Sequence, residues 1–318
     1  MRNVALLGAC MAAAACQPLS ETTPLAGVEA SPRLGTQALA HARRLTEFGP
    51  RHTGSTGWRQ GTDYIVRQLR RAGYEPKLDR WTDEAEGIDF VNVSAVLPGE
   101  YEDRIVIGCH HDTKCTTGHD DPAHNYHFVG ANDSGSGVGL VLALAEELRA
   151  SNPVATVEFV FFDGEESIPY RWNDARALFG SRRYVDRYTE GQIRGGEPPV
   201  RAFVLLDMVG AEELTIDRET RSTPALLDII GRAARACGHE RYFFEHSLDV
   251  TDDHVPFLRA GIPAVDLIDI ADNPQWHTPH DTIDVLSADS LQIVGEVVLT
   301  ALPEITRRFV VDRARTRR

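Results

Sequence analysis

The sequence predicts a single α/β domain, a sandwich in which helices cover a largely buried sheet. Two observations carry this expectation. Short apolar strand-forming runs alternate with helix-period patterns over most of the chain, and no linker or internal repeat interrupts the series after residue 34. With 318 residues, of which 42% are hydrophobic and 25% charged, the chain is long enough to bury one large core.

The N-terminus, MRNVALLGACMAAAACQPLSETTP, sets Arg2 before a mostly apolar run from Val4 to Ala15 and then Cys16 after small residues. It reads as an export signal, since the run is too short for a membrane span, which needs ~20 apolar residues. The expectation is an exported protein of the bacterial periplasm or cell envelope. The AAAC ending resembles the lipobox of bacterial lipoproteins, which implies a lipid on Cys16 as the first residue of the mature chain. An ordinary signal peptide cleaved nearby is the alternative, and lipid on Cys16 is the one membrane attachment expected. Residues 1–16 are thus a signal, residues 17–34, rich in Pro, Ser, Thr and Gly, a tether, and residues 35–318 the folded domain.

A helix is expected around 36–47, then FGPRHTGSTG as a loop. The next helix, over about 58–72, has Ile65, Val66 and Leu69 on one face and Gly73 as its stop. Strands are expected near 74–81, 89–97, 104–109, 155–162, 201–207 and 263–268. Between them lie three helical patterns. Leu140, Leu144 and Leu148 mark one; Leu226, Leu227, Ile230 and Ala234 follow the start signal Thr223 and Pro224; Leu291, Val294, Val298 and Ile305 close the chain.

Charge narrows the function. Lys and Arg number 33 against 47 Asp and Glu, a formal net charge of -14 with no basic stripe, which excludes a nucleic-acid partner. Outside the export segment three cysteines remain, Cys109, Cys115 and Cys237. The odd number leaves at least one thiol without a partner in the chain, and spacing alone leaves a Cys109–Cys115 disulfide open.

The chemistry gathers where strands end. RIVIGCHHD delivers His110 and Asp112, VEFVFFDGEE delivers Glu165 and Glu166, and AFVLLDMVG delivers Asp207. Neighbouring strands would bring these groups together beyond the carboxyl edge of the sheet, where ligands of such folds bind. Asp133, in GANDSGSG at a helix entry, and His277, in NPQWHTPHDT after the strand ending AVDLI, belong with them. Taken singly, Asp133 reads as a helix cap, Glu165 as a solvated strand end and His277 as a surface residue. Taken together, carboxylates at the mouth of a buried sheet demand cations, because an unpaired buried charge is costly. Histidine and carboxylate ligands without a cysteine set suit a catalytic zinc ion, which takes three protein groups and keeps one position open. Glu165 and Glu166 then divide the work, one binding metal and the other moving protons.

His110-x-Asp112, Asp133, the Glu165-Glu166 pair, Asp207 and His277, in this order and context, resemble the zinc aminopeptidases of metallopeptidase family M28. The likeness runs from FGPRHTGSTG to the last helix. Within that family GCHHDTK, FFDGEE, LFGSRRYV, LLDMVG, DDHVPFLRAGIPAVDLI and WHT are more similar to the animal-type glutaminyl cyclases. Residues 167–179, which separate Glu166 from Gly180 and carry Trp172, and the doublet Asp252-Asp253 before His254 add to that likeness. The chain departs from the animal enzymes in three places: the insert is one residue longer before its Trp, Val138 replaces a disulfide cysteine, and Asp272 replaces an aromatic.

The resemblance implies a single-domain three-layer α/β/α sandwich around a mixed, mostly parallel sheet. It implies Asp133, Glu166 and His277 as zinc ligands, and Glu165 as general base and acid. Asp252 and Asp207 would hydrogen-bond near the reacting groups, and Trp276 and Trp172 would wall the substrate pocket. One zinc ion is expected, or two if His110 and Asp207 complete a second site bridged by Asp133. The implied reaction converts an N-terminal Gln of peptides or proteins to pyroglutamate with release of ammonia. An M28 aminopeptidase that releases N-terminal residues is the alternative, and a non-catalytic binding protein on the same fold ranks third, because every ligand and the base are retained.

Overall fold

The computed structural model describes residue 25 and residues 27–316. The export segment with Cys16, and the first part of the expected tether, lie outside the described residues. The later part of that stretch rests on the body: Val28 and Ala30 pack against the core, and Ser31 accepts at its carbonyl from Gln292.

The chain opens with helices α1 (Leu34–Thr46) and α2 (Thr56–Arg71). Ser55 caps α2 by accepting from the Trp58 N–H. Strands β1 (Lys77–Asp83), β2 (Ile88–Leu97) and β3 (Tyr101–His110) precede α3 (Gly137–Leu148), followed by β4 (Ala155–Phe162), α4 (Phe179–Ile193) and β5 (Val200–Asp207). Then come β6 (Ile216–Glu219), α5 (Pro224–Ala236), β7 (Phe243–Leu248), α6 (His254–Arg259), β8 (Ala264–Ile268) and α7 (Ala288–Thr306).

Six strands form one mixed sheet in the order β1-β2-β4-β3-β5-β8. β1 and β2 run antiparallel at one edge, and β4, β3, β5 and β8 are mutually parallel. Alternation along the inner strands builds the layers. Ile105 and Ile107 of β3, Val157, Phe159 and Phe161 of β4, and Val204 and Leu206 of β5 pack against α1, α2, α3, α5 and α7 in the larger core. The intervening Val106, Val160, Phe162, Phe203 and Leu205 meet Val185 of α4 and Phe257 of α6 in the smaller one. Two apolar faces on every inner strand make the three-layer sandwich.

The expected elements all form, with boundary shifts. The first strand starts at Lys77 rather than 74, because Tyr74 turns inward and donates its hydroxyl to the Ala145 carbonyl at 2.8 Å. Four of the observed elements escape the sequence reading for physical reasons. Helix α4 buries only Gly180, Ser181 and Val185, so it has no apolar stripe to read. β7 buries only Phe243, β6 spans 4 residues, and α6, at 6 residues with Pro256 inside, is too short for periodicity. Cys109 and Cys115 are both free thiols, so the disulfide left open above is absent: Cys109 is buried in the larger core while Cys115 faces solvent. Among the described residues, no helix is long and apolar enough to cross a membrane.

Candidate active site and metal centre

Because β3 lies between β4 and β5 and all three run parallel, their carboxyl ends open at one edge of the sheet. β3 ends on His110 and β5 on Asp207, while β4 is followed at once by Asp163-Gly164-Glu165-Glu166. Of these carboxylates Asp163 is structural: it accepts from the Thr53 hydroxyl at 2.8 Å and the Val91 N–H at 2.7 Å, locking the strand end. Asp112 is a connector. Its carboxylate accepts from the N–H groups of Glu165 and Glu166 at 3.2 and 3.3 Å and lies 3.5 Å from Nδ1 of His110.

Asp133 comes from the kinked segment Ala131–Ser136 that feeds α3. The segment starts at Gly130, whose φ is +53° and where a Cβ would lie 2.0 Å from the Asp133 carbonyl, so only glycine fits. His277 comes from the loop after β8 with φ +50°, a left-handed backbone uncommon for a non-glycine residue. Met208, directly after Asp207, has the same φ of +50°.

Two triplets of ligand atoms result, each with its members within 4.8 Å of one another: Asp133, Glu166 and His277, and His110, Asp133 and Asp207. Asp133 belongs to both. Nε2 of His277 lies 3.2 Å from Asp133 Oδ2 and 3.1 Å from Glu166 Oε1, and Nε2 of His110 lies 3.2 Å from Asp133 Oδ1 and 3.3 Å from Asp207 Oδ1.

The electrostatics call for a cation. Burial opposes the charged ring of His277, yet Glu166 and then Asp133 push its pKa up to about 11. Burial likewise opposes the carboxylate of Asp133, and His110 and His277 still hold it well below the usual range. Both ring nitrogens of His110 and Oδ1 of Asp207 are buried without a hydrogen-bond partner. Buried donors and acceptors normally find partners, so orphaned ones that converge on the shared Asp133 carboxylate fit a metal centre. An imidazole and carboxylate set of this kind suits zinc.

Beside the triplets, a cavity of about 350 Å³ is lined by Glu165, Asp207, Asp252, Trp172 and Trp276 together with Asp133, Glu166 and His277. The structure therefore brings every sequence-predicted site residue except His110 and Asp112 to the cavity wall; His110 lies directly beneath it through Asp133 and Asp207, and Asp112 behind Glu165 and Glu166. Burial, opposed by His110 and reinforced by Glu166, lifts the Glu165 carboxyl well above its ordinary range. Asp252 is lifted by burial and then by Asp266, Asp207 and Glu165, and its Oδ2 has no hydrogen-bond partner. The indoles form the rim: Trp172 is 43% and Trp276 44% exposed, so the cavity is open at its mouth. Asp272 is not part of this rim. It sits in a neighbouring acidic cavity, 3.2 Å from Nε2 of His246.

Other wall residues went unread in the sequence. Lys114 is buried, donates to the Ser167 carbonyl at 2.8 Å and lies 3.5 Å from Glu166 Oε2. Its place in GCHHDTK, four residues past His110, was the available signal. Tyr170 also lines the wall, its ring stacked at 3.7 Å on His124 from a loop with no motif of its own.

Comparison with known proteins agrees with this arrangement. The sequence model of peptidase family M28 matches residues 92–302. A glutaminyl-peptide cyclotransferase-like protein of Bos taurus is 31% identical over 281 residues, covering 80% of this chain and 72% of its own. Among solved structures, a glutaminyl cyclase of an Acidobacteriales bacterium is 31% identical with a TM-score of 0.78, covering 92% of this chain and 100% of its own. A leucine aminopeptidase precursor from Bacteroides thetaiotaomicron is 25% identical with a TM-score of 0.75, over 86% and 99%.

Proposed function

Because the chain belongs to peptidase family M28, we propose that it is a zinc-dependent glutaminyl-peptide cyclotransferase, converting an N-terminal Gln of peptides or proteins to pyroglutamate with release of ammonia. The observation that carries the reading is the cavity itself: two indoles at the rim, the Asp133, Glu166 and His277 triplet at the base, and Glu165 beside it. The solved glutaminyl cyclase of similar fold and the cyclotransferase-like relative support the same choice.

Asp133, Glu166 and His277 would hold the zinc ion, whose contribution is Lewis acidity toward the side-chain carbonyl of the substrate glutamine. Trp172 and Trp276 confine the side chain so that its carbonyl carbon faces its own α-amine, and holding the two in a ring-closing pose supplies much of the rate. Glu165 takes a proton from the α-amine as the new N–C bond forms. It returns that proton to the side-chain nitrogen as the C–N bond breaks, so ammonia leaves and Glu165 ends as it began. Asp207 Oδ1 and Asp252 Oδ2, buried and without hydrogen-bond partners, accept from the amine and from the departing ammonia.

One observation favours a second reading, an M28 aminopeptidase. His110, Asp133 and Asp207 form a complete second triplet, which would hold a second zinc ion of the kind dinuclear aminopeptidases use. Mass spectrometry on a Gln-Ala-type and a Leu-Ala-type peptide separates the two. Ammonia loss from the Gln peptide without shortening is expected; release of free Leu beside an unmodified Gln peptide would replace the cyclase by the aminopeptidase.

A further inference from the structure

We propose that Arg51 and Asp281 are positioning residues, two buried polar side chains that grip the backbone carrying Asp133 from opposite sides and so set the affinity of the site for metal. The inference rests on the zinc reading above. Neither side chain lines the cavity, and no step of the reaction uses either. Both are nonetheless buried, Arg51 to 0% and Asp281 to 2% exposure. A guanidinium that never loses its charge is costly to bury unless its N–H groups are used.

Arg51 directs its two terminal nitrogens at one stretch of chain, with Nη1 reaching the Leu45 carbonyl as well at 3.5 Å, while its Nε has no hydrogen-bond partner. Its Nη1 donates to the Val129 carbonyl at 2.6 Å and its Nη2 to the Gly130 carbonyl at 2.8 Å. From the other side, the Asp281 carboxylate accepts from the N–H of Asn132 at 2.7 Å and of Asp133 at 3.1 Å, and the Asp281 carbonyl accepts from the N–H of Ala131 at 3.3 Å. Residues 129 and 130 lie in neither helix nor strand, and residues 131–133 form the first turn of a kinked helical segment whose N–H groups have no partner within it, so these two side chains satisfy backbone groups that secondary structure leaves open. The residue they hold is the one shared by both ligand triplets.

The pair also ties Asp133 to His277. Asp281 closes the loop that begins at His277, its N–H donating to the Thr278 carbonyl at 3.2 Å. The Phe128 ring meets the His277 ring edge-on at 6.0 Å, and the Tyr126 hydroxyl donates to the His277 carbonyl. Helix α2 makes room for Arg51 with two small residues: a Cβ on Gly57 would lie 2.3 Å from the Pro50 carbonyl, and one on Gly61 would lie 3.2 Å from Cδ of Arg51. The Arg51 N–H donates to the Thr113 hydroxyl at 3.0 Å, which anchors the grip to the segment just past His110. FGPRHTG and WHTPHD, far apart in sequence, are on this account one device.

The test is zinc affinity, read by competition with a chromophoric chelator on metal-stripped wild type, Arg51→Lys and Asp281→Asn, with thermal melting of each metal-free protein alongside. Lysine keeps the charge but cannot fork across two carbonyls, and asparagine leaves one acceptor oxygen for two N–H groups. Loss of a partner that orients a ligand weakens metal binding ~10- to 100-fold. That loss is expected in both variants while their metal-free melting temperatures stay near wild type. Zinc affinity within about twofold of wild type in either cooperatively melting variant would overturn the pair's role, even if its metal-free protein melts lower, because the pair would then hold the fold and not the ligand. If Arg51→Lys does not fold, Asp281→Asn alone decides by the same criterion. Failure of wild type to bind zinc is a separate outcome that overturns the metal reading itself, and this role with it.

Discussion

Glu165 and Glu166 are consecutive, buried and pinned through their N–H groups by the same Asp112, yet their side chains part company. Glu166 Oε1 lies 3.1 Å from Nε2 of His277, whereas Glu165 joins neither ligand triplet and stands in the cavity wall. That divergence assigns proton transfer to Glu165 on the proposed mechanism. Glu165→Gln should retain zinc and lose about 10²- to 10⁴-fold in turnover, since the amide keeps the shape and cannot take the proton. Turnover near wild type in the metal-loaded variant, with zinc measured by elemental analysis, would remove Glu165 from the mechanism. At this scale the chemistry was legible because ligands and acids need particular residue types, and strand ends announce them. Lys114, Arg51 and Asp281 were not, since their roles consist of contacts with backbone that is distant in sequence.

Helix α6 and strand β6 were invisible in the sequence, and together they hold a second buried polar knot behind the cavity. Nε2 of His254 lies 3.1 Å from Glu219 Oε2, and Glu219 also accepts from the Ser222 N–H at 2.6 Å and hydroxyl at 2.9 Å and from the Arg221 N–H at 2.9 Å. Burial works against the Glu219 carboxylate, but His254 and these donors bring its pKa down to about 2. A folded pKa below the unfolded value means stability that is fully present above about pH 4.3 and is lost as pH falls toward 2. Glu219→Gln should therefore be less stable near neutrality by about 1.5 to 3 kcal/mol, the worth of hydrogen bonds to a charged group. It should also lose less further stability than wild type between pH 5 and pH 3. Urea melts at both pH values check this, and equal losses in the two proteins would mean that Glu219 is not ionised by the fold.

Across the whole molecule the sheet places acidic groups from β3, β4 and β5 at one edge, and helices on both faces keep water from the rest. A site that gathers Asp133, Glu166 and Asp207 with two imidazoles is built to be completed by a cation, and on the proposed zinc reading the metal would bind the folded chain far better than the unfolded one. Zinc held at a hundredfold excess over its dissociation constant adds about 2.7 kcal/mol. Chelation should then lower the melting temperature by roughly 4 °C for a domain of this size. Calorimetry with and without a chelator, followed by zinc restoration, measures it; an unchanged melting temperature would argue against a metal bound by the native fold.

The sequence by itself determined the α/β class, the inner strands and the residues at their ends, because buried strands must be continuously apolar and a break into Asp, Glu or His stands out against them. It also determined that those groups would share an edge if the strands were neighbours. Only the tertiary structure decided that they are neighbours, through the order β2-β4-β3-β5, which depends on which faces the helices cover rather than on any local pattern. Only it decided that Asp163 locks a strand end while Glu165 and Glu166 face the cavity, that Asp272 lies outside the rim, and that Arg51 and Asp281 hold residues 129–133 from two sides. The reason is the same each time: a residue type records what a group can do, and its partners are set by packing between segments that the sequence keeps far apart.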